Sequence, residues 1–217
     1  MKKIWDLTLT VESGMPTCGT DWHQRVQIAQ MGTIEDVGRN TSSILLGSHS
    51  GTHMDAPSHF IPGGKTLEAM DLNILCGPVS VLDFRTKGEH AVLTKEDFET
   101  QPLSERIILC LGWYKNWKTK KYYQAFPSMS LEAANFLIEQ GVKLVAMDTP
   151  SPDPGASIVE KDDSPVHKLL LRNDVVIVEY LADTDQLQPG RNYEIIALPL
   201  RIQGADGCPA RVIVREL

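Results

Sequence analysis

The stretch SHSGTHMDAPSHF, residues 48–60, holds three of the chain's six histidines together with an aspartate, a glycine and a proline. His49 and His53 stand four apart, and Asp55 follows two later. On a helix the two imidazoles would share a face. Gly51 and Thr52 between them, and Pro57 just beyond, oppose a helix. The preceding SSILLG reads as a strand, so the stretch is expected to be a loop that begins where a strand ends. Functional side chains concentrate on such loops. Gly51 can take a positive φ and turn both imidazoles toward one point. Imidazole nitrogens and a carboxylate suit zinc, manganese or iron. Asp55 has two oxygens and can bridge two ions. His59 is either a further ligand or a free base beside the metal.

Other ligands must come from far along the chain. His167 falls in a short helical segment, SPVHKLLLRND, with Ser164 as N-cap and Pro165 at the first helical position. Glu179 falls in VVIVEYL, an otherwise apolar strand. Burying a carboxylate there is costly unless it is paired or bound to a cation. The turn-rich DTPSPDPG, residues 148–155, offers Asp148 as a residue that supports a ligand or simply caps a turn. His23, beside Trp22, is a candidate for a pocket wall, and His90 in TKGEHAV reads as a surface turn.

Apolar runs at 24–31, 43–46, 79–84, 107–111, 143–147, 175–178, 193–201 and 211–214 read as strands, several buried on both faces. Ile4, Leu7, Leu9 and Val11 fit a first strand. SMSLEAANFLIEQGV predicts a helix capped by Ser128 or Ser130 and stopped at Gly141. A shorter one is expected over 94–100. These elements predict one domain, residues 1–217, of α/β class with a mixed central sheet and few helices.

The net charge of −7 excludes a nucleic-acid partner and docking on anionic membranes. Asp6, Thr8, Thr10 and Glu12 break the N-terminal apolar run, and no run approaches the roughly 20 residues that span a bilayer. Cys18, Cys76, Cys110 and Cys208 form no CxxC pair. Reduced thiols in a cytoplasmic protein are the expectation.

SHSGTHMDAPSHF resembles the HxGTHxDxPxHF signature of the cyclase family of metal-dependent hydrolases, which includes kynurenine formamidases and isatin hydrolases. DTPSPDP, SPVHKLLLRNDVVIVEYL and ALPLRIQGADGCPARVIV are similar to that family's later blocks in content and order. The resemblance implies a swivelling β/β/α type of fold. It implies His49, His53 and Asp55 as ligands of a first metal, Asp55 and Glu179 as carboxylates shared by two metals, and His167 as a ligand of the second. It implies His59 as the catalytic acid/base, and a homodimer or higher homo-oligomer. The formamidases carry a substrate-contacting aromatic residue in the first loop. Here that position is Cys18, with Trp22 the nearest ring in sequence.

The chemistry so implied is cleavage of an amide, lactam or lactone of a small molecule by water activated on one or two divalent ions, Zn2+ or Mn2+, most like an arylformamidase. No GxSxG elbow offers a serine nucleophile. The alternatives are isatin hydrolase-like activity, cyclase or dehydratase chemistry on another small carbonyl compound, and a non-catalytic metal- or ligand-binding protein. The spare base at His59 favours an enzyme. The aromatic-rich segment 111–126 is expected to pack on a partner chain or wall a pocket.

Overall fold

Short apolar runs become strands here, and the sheet they build closes on itself. In a computed structural model of the protein, described for residues 3–155 and 164–217, the strands are β1 (Ile4–Asp6), β2 (Gln27–Gly32), β3 (Thr41–Leu45), β4 (His53–Asp55), β5 (Cys76–Asp83), β6 (Val92–Leu93), β7 (Arg106–Cys110), β8 (Ser128–Met129), β9 (Leu144–Met147), β10 (Val176–Glu179), β11 (Tyr193–Pro199) and β12 (Gly207–Glu216). The helices are α1 (Ile34–Val37), α2 (Leu72–Leu75), α3 (Lys95–Glu99), α4 (Lys120–Gln124), α5 (Leu131–Glu139) and α6 (Pro165–Arg172).

The main sheet runs β1-β12-β11-β5-β7-β9-β10-β4, and β4 also pairs with β12, which closes the ring. The stretch β5-β7-β9-β10 is parallel, and the other pairings are antiparallel. The expected mixed α/β architecture with few helices is the one observed.

Side chains alternate faces along a strand, and the alternation divides the core in two. Ile108, Leu144, Ala146, Val176, Val178 and Met54 belong to a cluster inside the closed sheet. Ile107, Leu109, Val145, Met147 and Ile177 belong to a second cluster under α5 and α6. β7, β9 and β10 are buried on both faces, hence their nearly continuous apolar sequences. Ser130 caps α5, its side chain accepting from the Ala133 N–H, and Gly141 takes φ 81° after the helix.

One expectation needs correction. The histidine-rich stretch is not all loop: His53–Asp55 forms β4, held between β10 and β12. Three residues flanked by turns leave too short an alternation to read as a strand. The aromatic segment 111–126 folds back on its own chain, with Trp113, Tyr122 and Phe126 in the core under the helices and Trp117 and Tyr123 packed beside Tyr180. A patch of exposed apolar residues lies on the β2–β3 hairpin and α1. Ile28, Met31, Ile34, Val37, Ile44 and Leu45 are all exposed there.

Candidate metal centre

Strand register builds the site. His53 and Glu179 are directly opposed across the antiparallel β4–β10 pair, with Asp55 opposite Ile177. Met54 points inside the closed sheet, so His53 and Asp55 share the other face with Glu179. His53 Nε2 lies 3.4 Å from both Asp55 Oδ1 and Glu179 Oε2. α6 brings His167 onto the same face, its Nε2 3.1 Å from Glu179 Oε1 and 3.5 Å from Asp55 Oδ2. The turn before β4, with Gly51 at φ 63°, places His49 Nδ1 2.8 Å from Asp55 Oδ1. His59 stacks on His49, ring centroids 4.0 Å apart. The six residues singled out from the sequence thus converge on one point.

Ligand atoms of two sets, His49/Asp55/His59 and His53/Asp55/Glu179, lie within 4.8 Å of one another, and Asp55 belongs to both. Asp55 is 1% exposed, and among the described residues neither of its oxygens has a well-aligned hydrogen-bond donor, despite the three histidine nitrogens around them. A buried, unsatisfied carboxylate costs several kcal/mol. Three imidazole nitrogens crowded on one buried carboxylate are arranged as co-ligands are. The residues present therefore fit a divalent cation.

Outer partners fix which nitrogen faces inward. His53 Nδ1–H donates to the Gly51 carbonyl at 2.8 Å, leaving Nε2 toward the carboxylates. His167 Nδ1–H donates to Asp153 Oδ2 at 2.7 Å. Asp153 also accepts the Val166 and His167 N–H groups at 2.8 and 3.0 Å. The N-cap position of α6 is Ser164, as expected, but the capping oxygens are those of Asp153. Burial disfavours a proton on His49 and His167, yet the carboxylates outweigh it. Asp55 and Asp206 raise His49 to about 10, and Asp153, Asp55 and Glu179 raise His167 well above its ordinary value. Without metal the site thus holds protons that a cation would displace.

Asp153 and Asp206 were not singled out from the sequence. Both sit in turn-forming runs, DTPSPDPG and QGADG, where an aspartate ordinarily caps a turn. Asp148 does not reach the histidines. It is buried against the Leu111 N–H at 3.2 Å and the Thr184 hydroxyl at 2.6 Å.

A rim of other residues surrounds the centre. Cys18 Sγ lies 2.8 Å from His23 Nδ1, and the His23 ring is 6.3 Å from that of His49. Burial first, then the neighbouring histidines, lowers His23 to about 4, so it is neutral at pH 7. Trp22 is 70% exposed and packs on His23. Tyr180 takes a positive φ of 59°, which breaks strand alternation after Glu179 and brings its ring 5.4 Å from that of His53. Trp117, Tyr122 and Tyr123 pack around Tyr180. Rings therefore reach the centre from a segment far from Cys18. His90 lies on the surface at φ 55°.

Residues 5–154 match the model of a family described as "putative cyclase". A kynurenine formamidase of Bacillus cytotoxicus is 34% identical over 178 residues, covering 82% of this chain and 81% of that protein. Isatin hydrolase A from Labrenzia aggregata, solved with benzyl benzoate, superposes with a TM-score of 0.86 at 26% identity, over 99% of this chain and 94% of that one. A structure described as a potential metal-dependent hydrolase with cyclase activity superposes with a TM-score of 0.78, also at 26% identity, over 100% of this chain and 99% of that one. With its histidine- and carboxylate-lined centre on that shared fold, the chain belongs to the putative cyclase family.

Proposed function

We propose that the protein is a metal-dependent hydrolase that opens a C–N bond in a small aryl amide or lactam, most like an arylformamidase acting on N-formylkynurenine. The observation that carries this reading is Asp55, a buried carboxylate at the meeting point of His49, His53 and His167. His49, His53, Asp55, His167 and Glu179 hold one or two divalent ions, zinc or manganese. Held by these residues, a divalent ion would supply water activated near neutral pH and a Lewis acid for the carbonyl. His59, 21% exposed at the edge of the cluster, exchanges a proton with water and with the leaving nitrogen. Tyr180 supplies the ring beside the centre that Cys18 cannot, and Cys18 and Trp22 line the rim.

The test is turnover of a formanilide, N-formylkynurenine and isatin by zinc- and manganese-loaded protein, followed by proton release in an indicator assay. A hydrolase releases one acid per turnover. Turnover without acid release points to dehydratase or cyclase chemistry, and tight binding without turnover to a binding protein.

The proposed assembly is a homodimer or larger homo-oligomer. The β2–β3 ribbon is a separate two-stranded sheet with apolar residues on its surface. A lone two-stranded hairpin is marginal in water, so the proposed cover is a second copy of the chain. A cytoplasmic location is proposed from the four unpaired cysteines.

A further inference from the structure

We infer that Asp206 is a positioning residue, whose single carboxylate oxygen sets the tautomer and the ring orientation of both His49 and His59. Asp206 Oδ2 lies 2.8 Å from His49 Nε2 and 3.3 Å from His59 Nδ1. The two rings are stacked at an interplanar angle of 30°, so the carboxylate spans their edges like a clip. An ionised carboxylate only accepts hydrogen bonds. The hydrogen-bonded His49 Nε2 therefore carries its hydrogen, and the negative charge favours a hydrogen on the nearby His59 Nδ1 as well. For His49 this leaves Nδ1, the atom beside Asp55, without a proton when a metal is bound. For His59 it leaves Nε2 as the atom that can take a proton. That is the logic by which an aspartate orients the imidazole of a hydrolytic triad.

The backbone around Asp206 is built for this contact. The Ala56 N–H donates to the Asp206 carbonyl at 2.8 Å, tying it to the end of β4. Gly207 follows and pairs with Asp55. A Cβ on residue 207 would lie 2.7 Å from His49 Cε1 and 3.1 Å from His49 Nε2. The absence of a side chain at 207 is what lets the His49 ring reach the carboxylate. The Asp206 side chain is itself 45% exposed, on the solvent side of the two rings, so its replacement leaves the core intact.

The tautomer half of this inference stands on geometry alone, and the catalytic half rests on the hydrolase reading above. The experiment separates them. Zinc-loaded protein with 15N-labelled histidine is compared as wild type, Asp206→Ala and Asp206→Glu by long-range 1H–15N correlation spectra, which report which ring nitrogen carries hydrogen. Wild-type His59 is expected as the Nδ1–H form. In Asp206→Ala it shifts toward the Nε2–H form, while His53 and His167, held by Gly51 and Asp153, do not change. Asp206→Glu restores part of the wild-type pattern. An unchanged His59 tautomer in Asp206→Ala overturns the inference, whether or not a substrate is known. On a substrate, kcat at full metal occupancy is expected to fall about 10- to 100-fold with KM little altered. In a His59→Asn background the same change should cost almost nothing further. Activity lost only in proportion to lost metal would confine Asp206 to His49 and overturn the His59 half.

Discussion

Asp153 Oδ2 accepts a hydrogen bond from His167 Nδ1 at 2.7 Å, and the same carboxylate caps the helix that carries His167. One residue thus sets where α6 begins and which nitrogen of His167 faces Glu179. Asp153→Ala removes both functions. Metal affinity is expected to drop about 10- to 100-fold, and stability by about 1 kcal/mol from the lost cap. Isothermal titration with zinc and a urea melt of the metal-free protein read the two effects separately. Unaltered zinc affinity would show that the bond does not tune the ligand.

His53→Ala removes a ring nitrogen from the buried cluster, and Glu179→Gln replaces a charged oxygen there by an amide nitrogen. Both are expected to abolish stoichiometric metal in protein prepared without chelator, measured by elemental analysis. If either retained the wild-type amount, that residue would not be a ligand.

Gly207→Ala tests the same centre through sterics. The added methyl lies 2.7 Å from His49 Cε1 and 2.9 Å from the Met54 carbonyl oxygen, so the imidazole is expected to swing out. Metal content should fall toward that of His49→Ala while circular dichroism stays native. Wild-type metal content would mean that the ring accommodates the methyl in place.

His59→Asn distinguishes base from ligand. Asn keeps a hydrogen-bonding group but carries no proton at neutral pH. The expected result is full metal content with kcat reduced by about 10²- to 10⁴-fold on a genuine substrate. Loss of metal would place His59 among the ligands, as its closeness to His49 and Asp55 also permits.

Asp148 sets a pH dependence of stability. Burial raises its carboxyl from the ordinary 3.8 to about 6 against the hydrogen bonds from Thr184 and Leu111. The folded state therefore keeps the proton to a higher pH than the unfolded chain does. The contribution of Asp148 to stability is greatest below pH 3.8 and declines as pH rises to about 6, with no further change above it. At about 1.4 kcal/mol per pKa unit the loss is on the order of 3 kcal/mol. Asp148→Asn should gain on wild type by that amount between pH 4 and pH 7 in paired denaturant melts. A difference independent of pH would rule the assignment out.

A light-scattering mass tests the hairpin surface. Wild type is expected as a dimer or larger at micromolar concentration, and Ile44→Glu is expected to shift it toward monomer. A monomeric wild type would remove the proposed assembly.

Reading the sequence alone was enough to single out the side chains that the fold gathers, because their chemistry is written in residue type. Three histidines and an aspartate crowd into residues 48–60, and Glu179 stands out in an apolar strand. The α/β class was equally legible from short runs rich in Val, Ile and Leu. What tertiary structure decided is how these residues meet. His53 faces Glu179 only because β4 pairs with β10, and β4 is too short to announce itself by alternation. Asp153 and Asp206 resemble ordinary turn aspartates until the fold sets them against His167 and His49, since a carboxylate's role depends on what it touches. The aromatic run 111–126 is likewise ambiguous by composition. Only packing shows that its rings turn inward toward Tyr180, while the hairpin leaves apolar residues facing solvent.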